Sequence, residues 1–322
     1  MEFILRICRA RRGKSSGRDC LPLSFFTDMV YFFKKTDQTI RMEMDMSPKE
    51  LILIFKDTQK IIAEDPVLQQ YTLRTQASSQ LYLENYTSPL RTIKGNLRVD
   101  ILANTTFQCA RESAVPGART AVLNFANPHE PGGGVLRGAK AQEECLCRCS
   151  NLYNALAQPY FQKHYYQYHY RNCDNFFSDR LIYSPNVAVI KSDDTIPRLL
   201  PKAFFADVIT CAAPYINNDS LRTEQELLSV YESRIKNILE VAMSNEVDIL
   251  ILGAFGCGAF HNDPAVMSKA FYNMLIRDEY ARYFKKVNFA IKRSGSSSQN
   301  LSAFEDAFFG ISAGGSKRQF WM

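Results

Sequence analysis

Twice in this chain a short apolar run of strand character ends in a glycine-rich turn that opens a helix. Thr120-Ala-Val-Leu-Asn-Phe-Ala126 leads into Gly132, Gly133 and Gly134, and Val247-Asp-Ile-Leu-Ile-Leu252 leads into Gly253-Ala-Phe-Gly-Cys-Gly-Ala-Phe260. Strand–turn–helix units repeated in this way build α/β sheets, and in such sheets ligands bind beyond the carboxyl ends of the strands. Both glycine turns therefore fall on the edge where a ligand would sit.

The remaining pattern agrees with an α/β domain. Ser47-Pro48-Lys49-Glu50 is a strong helix start, with Ser as N-cap, Pro at the first helical position and Glu three residues after the cap. Apolar residues at Leu51, Ile54, Phe55, Ile61 and Ile62 carry that helix to about Ala63. Glu143 to Ala157 reads as the helix after the first glycine turn. Asn186-Val-Ala-Val-Ile190 and Asp207-Val-Ile-Thr-Cys-Ala-Ala213 read as strands, Thr223 caps a helix running to about Asn245, and Pro264 opens one to about Phe284. Val287-Asn-Phe-Ala-Ile291 supplies a last strand.

The first turn is followed, after seven residues, by Gln142, Glu143 and Glu144. Glycines present N–H groups with no Cβ in the way, which suits diphosphates and sugars. Adjacent carboxylates repel, so the pair retains a proton easily, which suits acid/base work on a sugar bond. A phosphate cradle beside an acid points to a nucleotide-sugar. Two other glycine-loop chemistries do not fit. Gly133 to Lys140 nearly matches a P-loop, but Ala139 separates the Gly–Lys pair and Ala141 stands where a magnesium-binding hydroxyl is needed. The Gly253 loop has its glycines in the wrong order for a dinucleotide fingerprint. Either loop alone is more often a structural turn; two in one domain, one leading to a glutamate pair, reverse that preference.

The combination resembles the bacterial-type poly(ADP-ribose) glycohydrolases, members of the macrodomain superfamily, whose signature is three glycines, a short spacer and Gln-Glu-Glu. Asn124-Phe-Ala126, Leu146-Cys-Arg148 with Ser150 and Leu152-Tyr153, Ile209-Thr210, Ala212-Ala213-Pro214, the Gly253 loop and Arg293-Ser-Gly add to the resemblance, in family order from about residue 90 to 310. It implies a macrodomain-like mixed sheet flanked by helices, with a helical N-terminal extension. The expected layout is a poorly ordered or misassigned segment at 1–45, the extension at 46–90, the glycohydrolase domain at 91–312 and a tail at 313–322. Met44 or Met46 is a candidate initiator.

The resemblance also implies roles. Glu144 matches the catalytic acid that protonates the leaving ribose oxygen and then activates water, and Glu143 would position the adjoining ribose. Asn127 would orient the distal ribose. Gly132, Gly133, Gly134 and Gln142 would bind substrate, with the glycine amides on the diphosphate and terminal ribose. Gly256, Cys257, Gly258 and Ala259 match a diphosphate-binding loop, and Phe260 an aromatic packing on the distal ribose. Most glycosidases set two carboxylates roughly 5–9 Å apart across the sugar. Neighbouring glutamates at a helix start do not span a sugar easily, so one acid/base residue is implied, with substrate charge assisting. The activity implied is hydrolysis of ribose–ribose bonds with release of ADP-ribose, without metal or redox cofactor. Rival readings are a hydrolase of mono-ADP-ribosylated protein or O-acetyl-ADP-ribose, and a non-catalytic ADP-ribose reader, although a reader has no need of the glutamate pair. Tyr215 departs from the asparagine expected after Ala-Ala-Pro, which bears on substrate preference if it borders the pocket.

Composition bounds the rest. The net charge of +6 is concentrated at the start, where residues 1–20 carry Arg6, Arg9, Arg11, Arg12, Lys14 and Arg18 against Glu2 and Asp19. A direct nucleic-acid partner is therefore not expected. Nine cysteines without a CxxC pair indicate neither a disulfide framework nor a zinc site, and fit the cytoplasm. Cys145, Cys147 and Cys149 read as core packing rather than a metal cluster, since only Cys145 and Cys149 share a helix face. His164 and His169 lie in a Tyr-rich stretch that reads as core-packing, His129 beside the glycine turn pairs with no nucleophile, and His261 is expected to follow the second loop into solvent. No apolar run has membrane-spanning length, and a monomer acting on ADP-ribose polymer or ADP-ribosylated protein is expected.

Overall fold

Seven strands form one mixed sheet in the order β1-β4-β5-β3-β6-β7-β2. The computed structural model describes residues 46–95, 99–217, 222–293 and 297–310; the expectations for 1–45 and 313–322 fall outside these. In chain order the strands are β1 (Gln80–Tyr82), β2 (Val99–Leu102), β3 (Thr120–Phe125), β4 (Leu181–Lys191), β5 (Leu199–Cys211), β6 (Ile249–Leu252) and β7 (Lys286–Ala290). β5, β3, β6, β7 and β2 run parallel, while β4 and β1 add antiparallel at one edge.

Alternation along the central strands decides the layering. Ala121 and Leu123 of β3, with Leu250 and Leu252 of β6, face a core closed by α8 (Glu224–Ser244), α9 (Pro264–Tyr272) and α10 (Ser297–Phe309). Val122, Ile249 and Ile251 face the other way, toward α3 (Thr106–Ser113), α4 (Gln142–Cys149) and α5 (Leu152–Leu156). Both faces are buried, as continuous Val/Ile/Leu strands require.

The N-terminal helix α1 (Pro48–Glu64) begins as expected, and α2 (Pro66–Ser78) follows it. Ser47 and Glu50 form a complete capping box, and Asp65 caps α2 through the Val67 and Leu68 amides. The boundary at residue 90 needs correction, because this segment is part of the sheet domain. β1 pairs with β4, Phe55 sits in the core beside Leu146, and the Thr58 hydroxyl lies 2.6 Å from the Arg148 carbonyl oxygen. The apolar stripe of α1 is buried by α4 rather than standing apart.

Two helices are shorter than their periodicity suggests. The helix expected over 143–157 breaks between α4 and α5, where Ser150 is extended and bridges Val189 of β4. Asn151 fixes the break by accepting from the Ala188 amide at 2.9 Å and donating to Thr72 Oγ1 at 3.0 Å. The helix expected over 264–284 loosens into a wider turn at Asn273–Arg277 and a tight turn at Tyr280–Tyr283, with Glu279 left-handed between them. The Tyr-rich stretch holds α6 (Pro159–Phe161) and α7 (Gln167–Asn172), and its Tyr165, Tyr166 and His169 are buried. Burial lowers the His169 imidazole to about 4. β2, α3 and α10 carried too little periodicity to be anticipated.

Candidate active site

α4 starts directly beneath the end of β3, and Gln142 fixes that junction. Its Oε1 accepts from the Phe125 amide at 2.9 Å, while its Nε2 donates to the Leu123 carbonyl at 2.8 Å and to Thr106 Oγ1 at 3.1 Å. Gln142 lines the cavity described below, but its amide is bound to β3 and α3. Expected as a substrate ligand, it also anchors the helix that carries the glutamates.

Glu143 and Glu144 occupy the first turn of α4 and are 2% and 7% exposed. Glu143 Oε2 accepts from the Asn127 amide at 2.7 Å, and Oε1 from Asn124 Nδ2 at 3.2 Å. Asn124, on β3, is held in turn by Thr210 Oγ1 of β5 at 3.2 Å. Burial pushes the Glu143 carboxyl up to about 8; its N–H donors oppose this and the Glu144 charge adds to it. Glu144 Oε1 accepts from the Gly134 amide at 2.7 Å, and its buried Oε2 has no hydrogen-bond partner among the described residues.

The three glycines close around these carboxylates instead of lining the cavity. Gly132 and Gly133 adopt φ of +69° and +56°. A Cβ on Gly133 would stand 2.5 Å from Glu144 Oε1 and 3.1 Å from Glu143 Oε2. One on Gly134 would stand 2.7 Å from Ala139 Cβ. All three are buried. Close backbone approach at this turn is required by the glutamates themselves.

Asn127 sits in the same turn, its Oδ1 accepting from the His129 and Glu130 amides at 2.8 and 3.0 Å. Asn127 also lines the cavity.

The second loop does face the cavity. Gly256, Gly258, Ala259 and Phe260 line it, and nothing lies within 4 Å of a Cβ added to Gly258. Gly256 has φ +72°, and a Cβ there would overlap Asn262 and Ala213. Asn262 is the pin that sequence reading missed. Its Nδ2 donates to the carbonyls of Pro214 at 2.7 Å, Gly256 at 3.0 Å and Phe260 at 3.2 Å. Cys257, expected in the binding loop, turns inward: its thiol lies 3.5 Å from the Phe255 carbonyl and it packs against the core. Its thiol is raised by burial.

Between the two loops lies a cavity of about 450 Å³, within the usual range for small-molecule sites. Small residues at the strand ends, Ala126, Ala213, Ala254 and Ala290, leave it open. Asn104, Thr105, Lys292 and Asn300 contribute from the β7–β2 side of the sheet. Cys147 and Cys149 are buried in the core, and among the described residues no three or more His, Cys, Asp or Glu side chains could hold a metal ion.

An α/β sheet with a nucleotide-sized cavity at its carboxyl edge, walled by a glycine-held glutamate pair, defines the class as a nucleotide-sugar-binding α/β domain. Comparison with known proteins resolves the family. Residues 56–192 match the model of the microbial-type PARG catalytic domain, PARG being poly(ADP-ribose) glycohydrolase. The crystal structure of poly(ADP-ribose) glycohydrolase from Thermomonospora curvata is similar at 30% identity and TM-score 0.74, covering 81% of this chain and 100% of its own. The same enzyme bound to the inhibitor ADP-HPD aligns at 32% identity and TM-score 0.68, covering 80% of this chain and 98% of its own. The Deinococcus radiodurans enzyme in complex with ADP-ribose aligns at 31% identity and TM-score 0.64, covering 74% and 96%. A comparison with curated protein sequences gives no match. This chain belongs to the microbial-type poly(ADP-ribose) glycohydrolases.

Proposed function

We propose that this chain is a macrodomain-type glycohydrolase that cleaves ribose–ribose O-glycosidic bonds of poly(ADP-ribose) and releases ADP-ribose. The observation that carries this reading is the Glu144 carboxylate. One oxygen is fixed by the Gly134 amide, and the other is buried, unpartnered and in a residue that lines the cavity. A carboxyl held on one side and free on the other can deliver a proton to a single ligand atom.

Glu144 is assigned as the general acid that protonates the departing ribose oxygen, and as the base that then activates water. The transition state has oxocarbenium character, and the substrate's own diphosphate supplies part of the stabilising charge. Glu143 is assigned to the hydroxyls of the adjoining ribose. Burial favours its protonated form, so it can donate as well as accept. Asn127 is assigned to the distal ribose through its amide nitrogen, Phe260 to the ring face of that ribose, and the backbone of Gly256, Gly258 and Ala259 to the diphosphate. The ligands of the two solved relatives, ADP-ribose and ADP-HPD, support binding of an ADP-ribose unit in the corresponding cavity.

A catalytic domain that begins at α1 and carries every assigned residue on one chain supports a monomer. Seven free cysteines among the described residues support a reducing compartment such as the cytoplasm. No helix among the described residues is long and apolar enough to cross a membrane.

The test is release of ADP-ribose from poly(ADP-ribose) and from mono-ADP-ribosylated protein by the wild type and by Glu144→Ala. Release from the polymer by the wild type alone is expected, with general acid/base loss of roughly 100-fold or more in the variant. Tight binding with no release by either would leave a reader. Release only from the mono-modified protein would make it a hydrolase of that substrate. Equal activity of the variant would remove Glu144 from its role.

A further inference from the structure

Phe260 is the inner end of a connected row of aromatic rings that runs out of the cavity across the β4–β5 side of the sheet. Tyr215 and Phe177 flank it, with ring centroids 5.8 and 6.2 Å away. His129 lies 5.6 Å from Phe177, and Tyr170 lies 5.8 Å beyond His129. The loops carrying these rings are tied together by backbone hydrogen bonds. Tyr215 donates to the Asn175 carbonyl at 2.7 Å, Ile216 to the Phe260 carbonyl at 3.0 Å, and Asn262 links Pro214 to Gly256. The rim is therefore built, and it stays exposed: Tyr170 is 77% exposed and His129 is also exposed.

Its position relative to the acid decides what it meets. His129 belongs to the turn whose Asn127 amide holds Glu143, so the rim begins beside the glutamate pair. The residues from β2 and β7 line the cavity from the opposite side of the sheet. An ADP-ribose unit reaching from Glu144 toward β7 and β2 leaves its glycosidic bond, and whatever is attached beyond it, on the rim side. In the polymer the leaving oxygen belongs to the ribose of the next adenosine, so an adenine hangs one sugar away from the scissile bond. A protein side chain as leaving group offers no base.

We propose that His129, Tyr170 and Tyr215 form a leaving-unit subsite that stacks the adenine of the next ADP-ribose in the chain, and so favours polymer over mono-ADP-ribosylated protein. This rests on the poly(ADP-ribose) reading above. Tyr215 is the position at which this sequence departs from the asparagine expected after Ala-Ala-Pro, so the preference belongs to this chain's own rim. Stacking on an aromatic face is tolerant of geometry and adds to binding of the leaving unit, not to the chemistry of Glu144.

The experiment compares the wild type with the double variants Tyr170→Ala/Tyr215→Ala and Tyr170→Phe/Tyr215→Phe. It measures kcat/KM on poly(ADP-ribose) and on mono-ADP-ribosylated protein, and the Kd of free ADP-ribose. The Ala pair is expected to lose about tenfold in kcat/KM on polymer, the size of one base–aromatic stack. Its Kd for ADP-ribose and any rate on the mono-modified protein should stay within about twofold, and the Phe pair should recover polymer activity. Unchanged polymer kinetics in the Ala pair would overturn the subsite while leaving the glycohydrolase reading intact. Parallel loss of ADP-ribose affinity would also overturn it, by making the tyrosines part of the cavity itself. A wild type that releases nothing from polymer would instead remove the reading on which the subsite rests.

Discussion

The Gly134 amide donates to Glu144 Oε1 at 2.7 Å, so the turn that opens the signature is wrapped around the acid that closes it. Ten residues separate the two, and the tight turn at Val135–Arg137 brings them together. The hydrogen bond orients one carboxylate oxygen and leaves the other buried without a hydrogen-bond partner among the described residues. Gly133, between the two carboxylates, allows the approach.

Gly133→Ala should therefore behave as an active-site lesion although the residue does not line the cavity. The added Cβ would stand 2.5 Å from Glu144 Oε1 in a backbone with φ +56°. The strain costs roughly 1–3 kcal/mol, visible as a lowered thermal midpoint. Displacing the acid by about 1 Å should reduce kcat about 100-fold. Steady-state kinetics on polymer, paired with a melting curve, checks this; a stable variant with full kcat would show that the carboxylate does not need this placement.

Stability should fall as pH rises through the range where Glu143 differs between states. The buried carboxyl titrates at about 8 against 4.5 as the ordinary value. Between these limits the folded state keeps a proton that the unfolded chain has released. Stabilisation by this group is thus complete below about 4.5 and is lost toward about 8, on the order of a few kcal/mol. Glu143→Gln cannot release a proton, so its unfolding free energy should decline less between these two pH values. Denaturant titrations at pH 5, 6.5 and 8 compare the slopes, and parallel curves for the two proteins would refute the buried-acid account.

How much of this was legible in the sequence follows from what each signal measures. Capping chemistry is local, so Ser47 with Glu50, and Thr223, placed two helix starts correctly. The signature identified Glu143, Glu144 and the glycines, but spacing alone does not say whether a glycine faces a ligand or a carboxylate. Gly132–Gly134 and Gln142 match the signature's substrate residues, and in the fold they also hold the glutamates and their helix. The motif match likewise does not specify which way the Cys257 side chain turns. Asn262 and Asn124 act through hydrogen bonds to residues distant in sequence or on neighbouring strands, which leave no periodic trace. The break at Ser150 was hidden because the competing partner is Val189 on another element.

Asn262→Ala should loosen the loop proposed to hold the diphosphate. Three carbonyls lose their shared donor, a cost of roughly 1–3 kcal/mol. Because Gly256, Gly258 and Ala259 line the cavity, the Kd for ADP-ribose should rise about tenfold, the equivalent of roughly 1.4 kcal/mol. Asn262→Asp should be worse than Ala, since it points a carboxylate at carbonyl oxygens. Calorimetric titration of ADP-ribose into both variants orders them, and an Asp variant that binds as well as wild type would rule out the donor role.

The N-terminal helix should prove inseparable from catalysis. α1 starts against the glycine turn, where a Cβ on Gly138 would overlap the Pro48 backbone. Its middle is tied to α4 by Thr58, whose hydroxyl lies 2.6 Å from the Arg148 carbonyl, and to β4 by Lys191, whose Nζ meets Asp57 at 2.6 Å. Thr58→Val leaves a buried carbonyl unpaired and should cost roughly 1–3 kcal/mol in unfolding free energy. Gly138→Ala both pushes α1 away and strains a left-handed residue at φ +75°. It should lower kcat as well as stability, because the same turn carries the Gly134 amide that holds Glu144. Chemical denaturation and polymer hydrolysis measured on both variants decide the point. Wild-type values in both assays would mean that α1 is an accessory segment and that the catalytic unit begins after it.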